Sequence, residues 1–273
     1  MNSFMLLMPK PARIFKYEAF TARSIQNLKE QIIYFGSPQN FNDPYDCAIP
    51  ANIKEPTDQD VDRIRSHYLA KSTLDQSQKK QFETLILSEL RKQFTTAGKG
   101  AVEEIHAFLK TKGISCFSDR NDSLLMWSHY GGYGKGFCLE FDTAFPEFKN
   151  LRMVSYTNDM PQIDIVPILC DNNHEQVEQL YCTKAKDWEY EQEWRCIHQK
   201  AGTAYHYPTE ALTGIYFGPD IEFSSFEIIC LILNGQNEKI KKWMGCRCKS
   251  TFSVDFTEVN YMSHLEAKHK GSL

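Results

Sequence analysis

A chain of 273 residues is long enough to bury a sizeable core, as one large domain or one domain carrying an insertion. With 31 basic against 35 acidic residues and a formal net charge of −4, it offers no broad basic field for nucleic acid, although a local basic groove stays open. Nine scattered cysteines without a Cys-x-x-Cys pair, an apolar run at residues 4–8 too short for a signal peptide, and no apolar stretch of about 18 residues predict a soluble, cytoplasmic protein with reduced thiols and no membrane partner.

Residues 13–20, Arg-Ile-Phe-Lys-Tyr-Glu-Ala-Phe, alternate in polarity and are rich in aromatics, which predicts a first strand with Lys16 and Tyr17 on opposite faces. Ser24 reads as the N-cap of a helix that runs through Ile25, Leu28, Ile32 and Ile33 to about Tyr34, where Gly36-Ser37-Pro38 stops it. The turn formers Asn42-Asp43-Pro44 sit between Phe41 and Tyr45-Asp46 and are expected to brace or line a cleft. Residues 55–112 become polar, with helical periodicity over 58–69, 74–94 and 101–110 and a flexible joint at 95–100. This predicts a helical insertion, a lid or spacer within a single α+β domain.

Residues 113–142 parse as a strand at 114–117, a turn capped by Asp122 or Ser123, a short helix at 124–130, a loop with four glycines in residues 131–136, and a strand at 136–141. Such glycines let a backbone approach a ligand, or simply connect. Trp127, Ser128, His129, Tyr130 and Tyr133 beside them supply flat surfaces and donors suited to an aromatic ring and ribose hydroxyls. A strand at 153–156, a connector with Pro161 and Pro167, a helix at 175–182 and strands near 204–207 and 212–217 follow; the apolar run 226–233 fits a buried helix or strand equally.

The densest chemistry lies at 184–198, Lys-Ala-Lys-Asp-Trp-Glu-Tyr-Glu-Gln-Glu-Trp-Arg-Cys-Ile-His. A strand from Glu191 onward would put Glu191, Glu193 and Arg195 on one face, with the two carboxylates about 7 Å apart. Alternating acids also describe a plain solvated face. Trp188 and Trp194 favour a partly buried cleft, in which a desolvated carboxylate has to be held.

The set Phe41-Asn42-Asp43-Pro44, Met126-Trp127-Ser128-His129-Tyr130 through Gly136-Phe137-Cys138-Leu139-Glu140-Phe141, and Trp188-x-Tyr190-Glu191-x-Glu193-Trp194-Arg195 resembles a large family of uncharacterised bacterial proteins. More distantly, residues 113–119 with Ser123, Trp127 and Tyr130, and the Glu191-Gln192-Glu193 motif, resemble the ADP-ribosyltransferases. That resemblance implies split β-sheets around a cleft, NAD as substrate, and ADP-ribosyl transfer to a protein, nucleic acid or small molecule, or NAD glycohydrolysis. Carried over, Lys16 takes the first position in place of the usual His or Arg, Ser118 and Tyr130 the second, and Glu193 the third. Glu193 and Glu191 would be catalytic, one stabilising an oxocarbenium-like centre and the other serving the acceptor. Lys16, Tyr17, Ser118, Trp127, His129, Tyr130 and Arg195 would bind NAD, and no metal is required. Two other classes stay open: an inactive ligand-binding or interaction module, and a nucleotide or nucleic-acid hydrolase using His129 with Asp43 and Asp46. The first is distinguished by Glu193 locked in an ion pair with Arg195 rather than lying in an open pocket.

Overall fold

The computed structural model describes residues 9–50, 52–70, 74–237, 239–263 and 268–269. The apolar run at 4–8 lies outside them. In chain order the elements are β1 (Arg13–Glu18), α1 (Ala22–Lys29), β2 (Ile32–Phe35), α2 (Asp58–Ala70), α3 (Gln76–Thr84), α4 (Leu87–Leu109), β3 (Gly113–Ser118), α5 (Leu124–His129), β4 (Phe137–Asp142), β5 (Arg152–Met153), β6 (Ser155–Thr157), α6 (Ile165–Asp171), α7 (Glu175–Leu180), β7 (Thr183–Ala185), β8 (Glu193–His198), β9 (Thr203–His206), β10 (Leu212–Phe217), α8 (Phe223–Asn234), β11 (Lys241–Arg247) and β12 (Val254–Glu258). The class is α+β. The chain forms two compact units, Met1–Gly36 with Gly113–Val154 and Asp187–Leu273, and Ser37–Lys112 with Ser155–Lys186.

The first unit is built on an eight-stranded mixed sheet in the order β12-β11-β10-β4-β1-β3-β8-β5. Its one parallel pair among the described strands, β10 with β11, is joined through α8. Because facing partners in a pleated sheet share a side, the registers sort the strand residues into two faces. Lys16 faces Leu139 and Phe117 faces Trp194, on the side whose apolar cluster includes Leu28 of α1 and Phe226, Ile229 and Leu233 of α8. Tyr17 faces Cys138, Phe15 faces Ser118, and Ser118 faces Glu193, on the side covered by Met126 and Trp127 of α5.

The predicted first helix is shorter than its periodicity implies. Thr21 is the N-cap, its hydroxyl accepting from the Ser24 amide at 3.1 Å while the Ser24 hydroxyl accepts from the Thr21 amide at 2.9 Å. The helix ends at Lys29; Gln31 turns left-handed at φ 54°, and Ile32–Phe35 pairs with Thr203–His206. The apolar spacing at 32 and 33 was therefore a strand's, where β-branched residues fit a half-buried pleat.

In the second unit, Val61 and Ile64 of α2, Leu90 and Phe94 of α4, and Ile165 and Val166 of α6 make one core. The helices of 55–112 thus share their interior with a later segment. The expected joint at 95–100 is instead continuous α4, where a Cβ on Gly98 would lie 2.5 Å from Ile165 Cγ2. Gly98 allows close helix packing rather than flexibility. Pro167, expected in a connector, sits in the first turn of α6, where its missing amide costs no intrahelical bond. The single strand expected at 153–156 is broken at Val154, whose amide donates to the Glu193 carbonyl at 2.9 Å, whereas the Ser155 amide donates to Cys182 at 2.8 Å. Residues 226–233 are helical, and β11 and β12 had no counterpart in the reading above. Among the described residues no helix is long and apolar enough to cross a membrane.

Candidate functional site

Ser123 caps α5, its hydroxyl accepting from the Met126 amide at 3.4 Å. One side of this short helix is interior. Trp127 is 2% exposed, donates through Nε1 to the Asn121 carbonyl at 2.8 Å, and stands edge-on to Tyr17 with ring centroids 5.1 Å apart. The other side carries exposed Ser128 and His129 and half-buried Tyr130.

The glycine loop that follows is filled by the chain's own atoms. A Cβ on Gly131 would lie 2.5 Å from Trp127 Cε3, and one on Gly136 2.2 Å from the Glu18 carbonyl oxygen. These two glycines bring backbone close to protein, which accounts for them without a ligand.

Glu191 is not on the strand with Glu193, as expected above. A 3-10 run, Lys186–Glu191, ends at Glu191, and Gln192 reverses the chain at φ 43° before β8 starts at Glu193. The turn is fastened by Ser118, whose hydroxyl donates to the Glu191 carbonyl at 2.6 Å, and by the Asp119 amide, which donates to the Gln192 carbonyl at 3.1 Å. The buried Glu191 carboxylate accepts from the Tyr130 hydroxyl at 2.6 Å. Glu193 and Arg195 do share a face of β8, and they form a bidentate pair: Arg195 Nε to Glu193 Oε1 at 2.8 Å and Nη2 to Oε2 at 2.9 Å. The side chains are 0% and 5% exposed.

The proposed NAD-binding set is only partly assembled. Lys16 lies on the opposite side of the sheet from Glu193, donating to the Cys116 carbonyl at 3.5 Å, 3.7 Å from Glu18 and over the Phe117 ring. A side chain there cannot join a site on the α5 face. Tyr17 is buried, its hydroxyl donates to the Arg120 carbonyl at 3.1 Å, and burial pushes its phenol far above the ordinary range. Ser118, Trp127 and Arg195 are interior as well. His129 and Tyr130 are at the surface, with two aromatics that the NAD-binding set omitted. Rings of His129 and Trp188, His129 and Tyr190, Trp188 and Tyr190, and His129 and Tyr130 lie 6.4, 6.1, 6.0 and 6.2 Å apart. The signal for them was the Trp-x-Tyr spacing just ahead of the acids.

Sequence reasoning also passed over Glu140, an acid within the apolar strand Phe137–Asp142. It accepts from the Tyr216 hydroxyl at 2.7 Å and the Thr213 hydroxyl at 2.6 Å, a half-buried polar group with its partners supplied. In the second unit, Asp43 Oδ1 accepts from the Tyr45 amide at 2.9 Å, serving its own turn, and Asp46 pairs with Lys184 of β7 at 3.3 Å. Among the described residues no three His, Cys, Asp or Glu side chains gather as metal ligands would.

This geometry lies within a recognisable stretch. Residues 126–196 match the family described as "Protein of unknown function (DUF2971)". The matched span runs from Met126 of α5 through the glycine loop to the Glu193 strand, and leaves out the turn at Asn42–Asp46. No curated protein and no solved structure matches the chain.

Proposed function

We propose that this chain is a ligand-binding module, not a transferase, and that its ligand carries a planar heteroaromatic ring of the nucleotide class. The observation that carries this reading is the Glu193–Arg195 pair. A carboxylate that stabilises an oxocarbenium-like centre must present an oxygen to the ribose, whereas both Glu193 oxygens face a fully buried guanidinium. Glu193 then belongs to the framework. The surface His129, Tyr130, Trp188 and Tyr190 offer flat faces for stacking, with Glu191 behind Tyr130 fixing its hydroxyl.

A second reading, NAD-dependent transfer, is favoured by the same Glu191, a buried carboxylate next to half-buried aromatics where an acceptor would arrive. One experiment separates them. NAD, AMP and adenosine are titrated calorimetrically into the full chain, and nicotinamide release from radiolabelled NAD is followed in parallel. Binding without release is expected, weakened at least tenfold in Trp188→Ala. Release by wild type that Glu193→Gln abolishes would establish the transferase instead, and no heat with any of the three would remove the nucleotide class.

A further inference from the structure

A half-open cavity of about 530 Å³ lies in the first unit where α8 ends beside the start of β11. Its polar wall is supplied by Asn234, Lys239, Lys241, Lys242, Glu258 and Asn260. Its lining thus counts three lysines and one acid.

Lys242 is unlike the other two lysines. Only 8% of it is exposed, because its backbone pairs with Ile215 of the core strand β10 and its side chain runs on the face under α8. There it neighbours Cys230, whose thiol burial pushes up to about 12 while the Lys242 charge pulls it down. Glu227, the nearby acid on α8, accepts from the Tyr261 hydroxyl at 3.2 Å. Lys242 forms no ion pair with any of the described residues. A largely buried ammonium without a counter-charge is destabilising, and such a group is retained where something else requires it.

We propose that this cavity binds a phosphate-bearing small molecule, with Lys242 holding the phosphate from the floor and Lys239 closing on it from the rim. Lysine serves phosphate as a compact point charge with rotatable donors. Asn234 and Asn260 can both donate and accept, which suits the uncharged remainder of such a molecule. The volume exceeds what inorganic phosphate fills and lies in the range of small-molecule sites. The proposal is independent of the aromatic surface and stands or falls apart from it.

The test is calorimetry of the full chain with inorganic phosphate and with ribose 5-phosphate, at fixed ionic strength and with chloride as the reference anion. Both should bind saturably, ribose 5-phosphate the tighter. Lys242→Met should weaken both at least tenfold, while its ligand-free melting temperature rises because an uncompensated charge has been removed. Asn260→Asp, an exposed position where folding is not at stake, should also weaken both at least tenfold. Absence of saturable binding in wild type overturns the proposal. So does Lys242→Met or Asn260→Asp binding as wild type does.

Discussion

If Glu193 and Arg195 are framework, breaking their pair should be felt in stability first. Arg195→Met removes the guanidinium from a site of 0% exposure and leaves a carboxylate 5% exposed without its two charge-assisted bonds of 2.8 and 2.9 Å. Breaking one side of a buried pair costs roughly 3–5 kcal/mol, since the remaining charge stays desolvated. At about 2–4 °C per kcal/mol for domains of this size, the melting temperature should fall by roughly 6–20 °C. Glu193→Leu alone should cost a comparable amount. The double variant Glu193→Leu/Arg195→Met should recover most of the loss, because apolar replacement of a buried pair is often near neutral. Urea unfolding followed by circular dichroism gives the four corners of the cycle, with an expected coupling above about 2 kcal/mol. An Arg195→Met protein within about 0.5 kcal/mol of wild type, together with NAD turnover that Glu193→Gln destroys, would refute the framework argument.

Three further outcomes follow. Tyr130→Phe deletes the hydroxyl 2.6 Å from Glu191 and should cost about 1.5–3 kcal/mol by urea unfolding, while the ring still stacks on ligand. Within α4, Gly98→Ala should cost about 1–3 kcal/mol because its Cβ would meet Ile165 at 2.5 Å, whereas Gly100→Ala, with nothing within 4 Å, should stabilise by about 0.5–1 kcal/mol; equal effects in thermal melts would contradict the packing described for Gly98. Glu18 has its pKa raised by burial, with Lys16 opposing. Its folded-state value is above the unfolded one, so its contribution is full below the ordinary carboxylate pKa and lost as pH rises through the raised value. Glu18→Gln should therefore be more stable than wild type at neutral pH, with the gain shrinking towards pH 4; a gain independent of pH would remove the titration argument.

Elements whose local signals agreed were legible in the sequence. The strand, cap, short helix, glycine loop and strand of 113–142 fell within a residue or two of the reading, because propensity, capping and turn chemistry all pointed one way there. Ile32 and Ile33 misled because two apolar residues fit period 3.6 and period 2 alike, and only pairing with Thr203–His206 decides. Gly98 read as a hinge because composition carries no information about Ile165 lying against it. At the site, alternation put Glu193 and Arg195 on one face correctly, but it extended the strand back through Gln192, whose positive φ no single-residue pattern announces. Lys16 shows a different limit. Its facing away from Tyr17 was readable, whereas which of the two faced Glu193 depends on the registers of β1 with β3 and of β3 with β8.

The position of β1 has a consequence for how the chain is made. Phe15 pairs with Ser118 of β3 and Lys16 with Leu139 of β4, so β1 gains its two neighbours only when those later strands have been made. A ribosome working at roughly 5–20 residues per second takes about 6–25 s to travel from Lys16 to Leu139. Until β3 emerges an alternating, aromatic-rich strand destined for the middle of a sheet has both hydrogen-bonding edges open, and one edge stays open until β4 follows. The second unit cannot shelter the wait, since it draws on Ser155–Lys186 and is itself unfinished until that segment emerges. Closing such distant pairs costs little in final stability but slows their formation. Yield of native protein should therefore depend on translation speed and chaperone supply more steeply than the equilibrium stability of the finished fold would suggest.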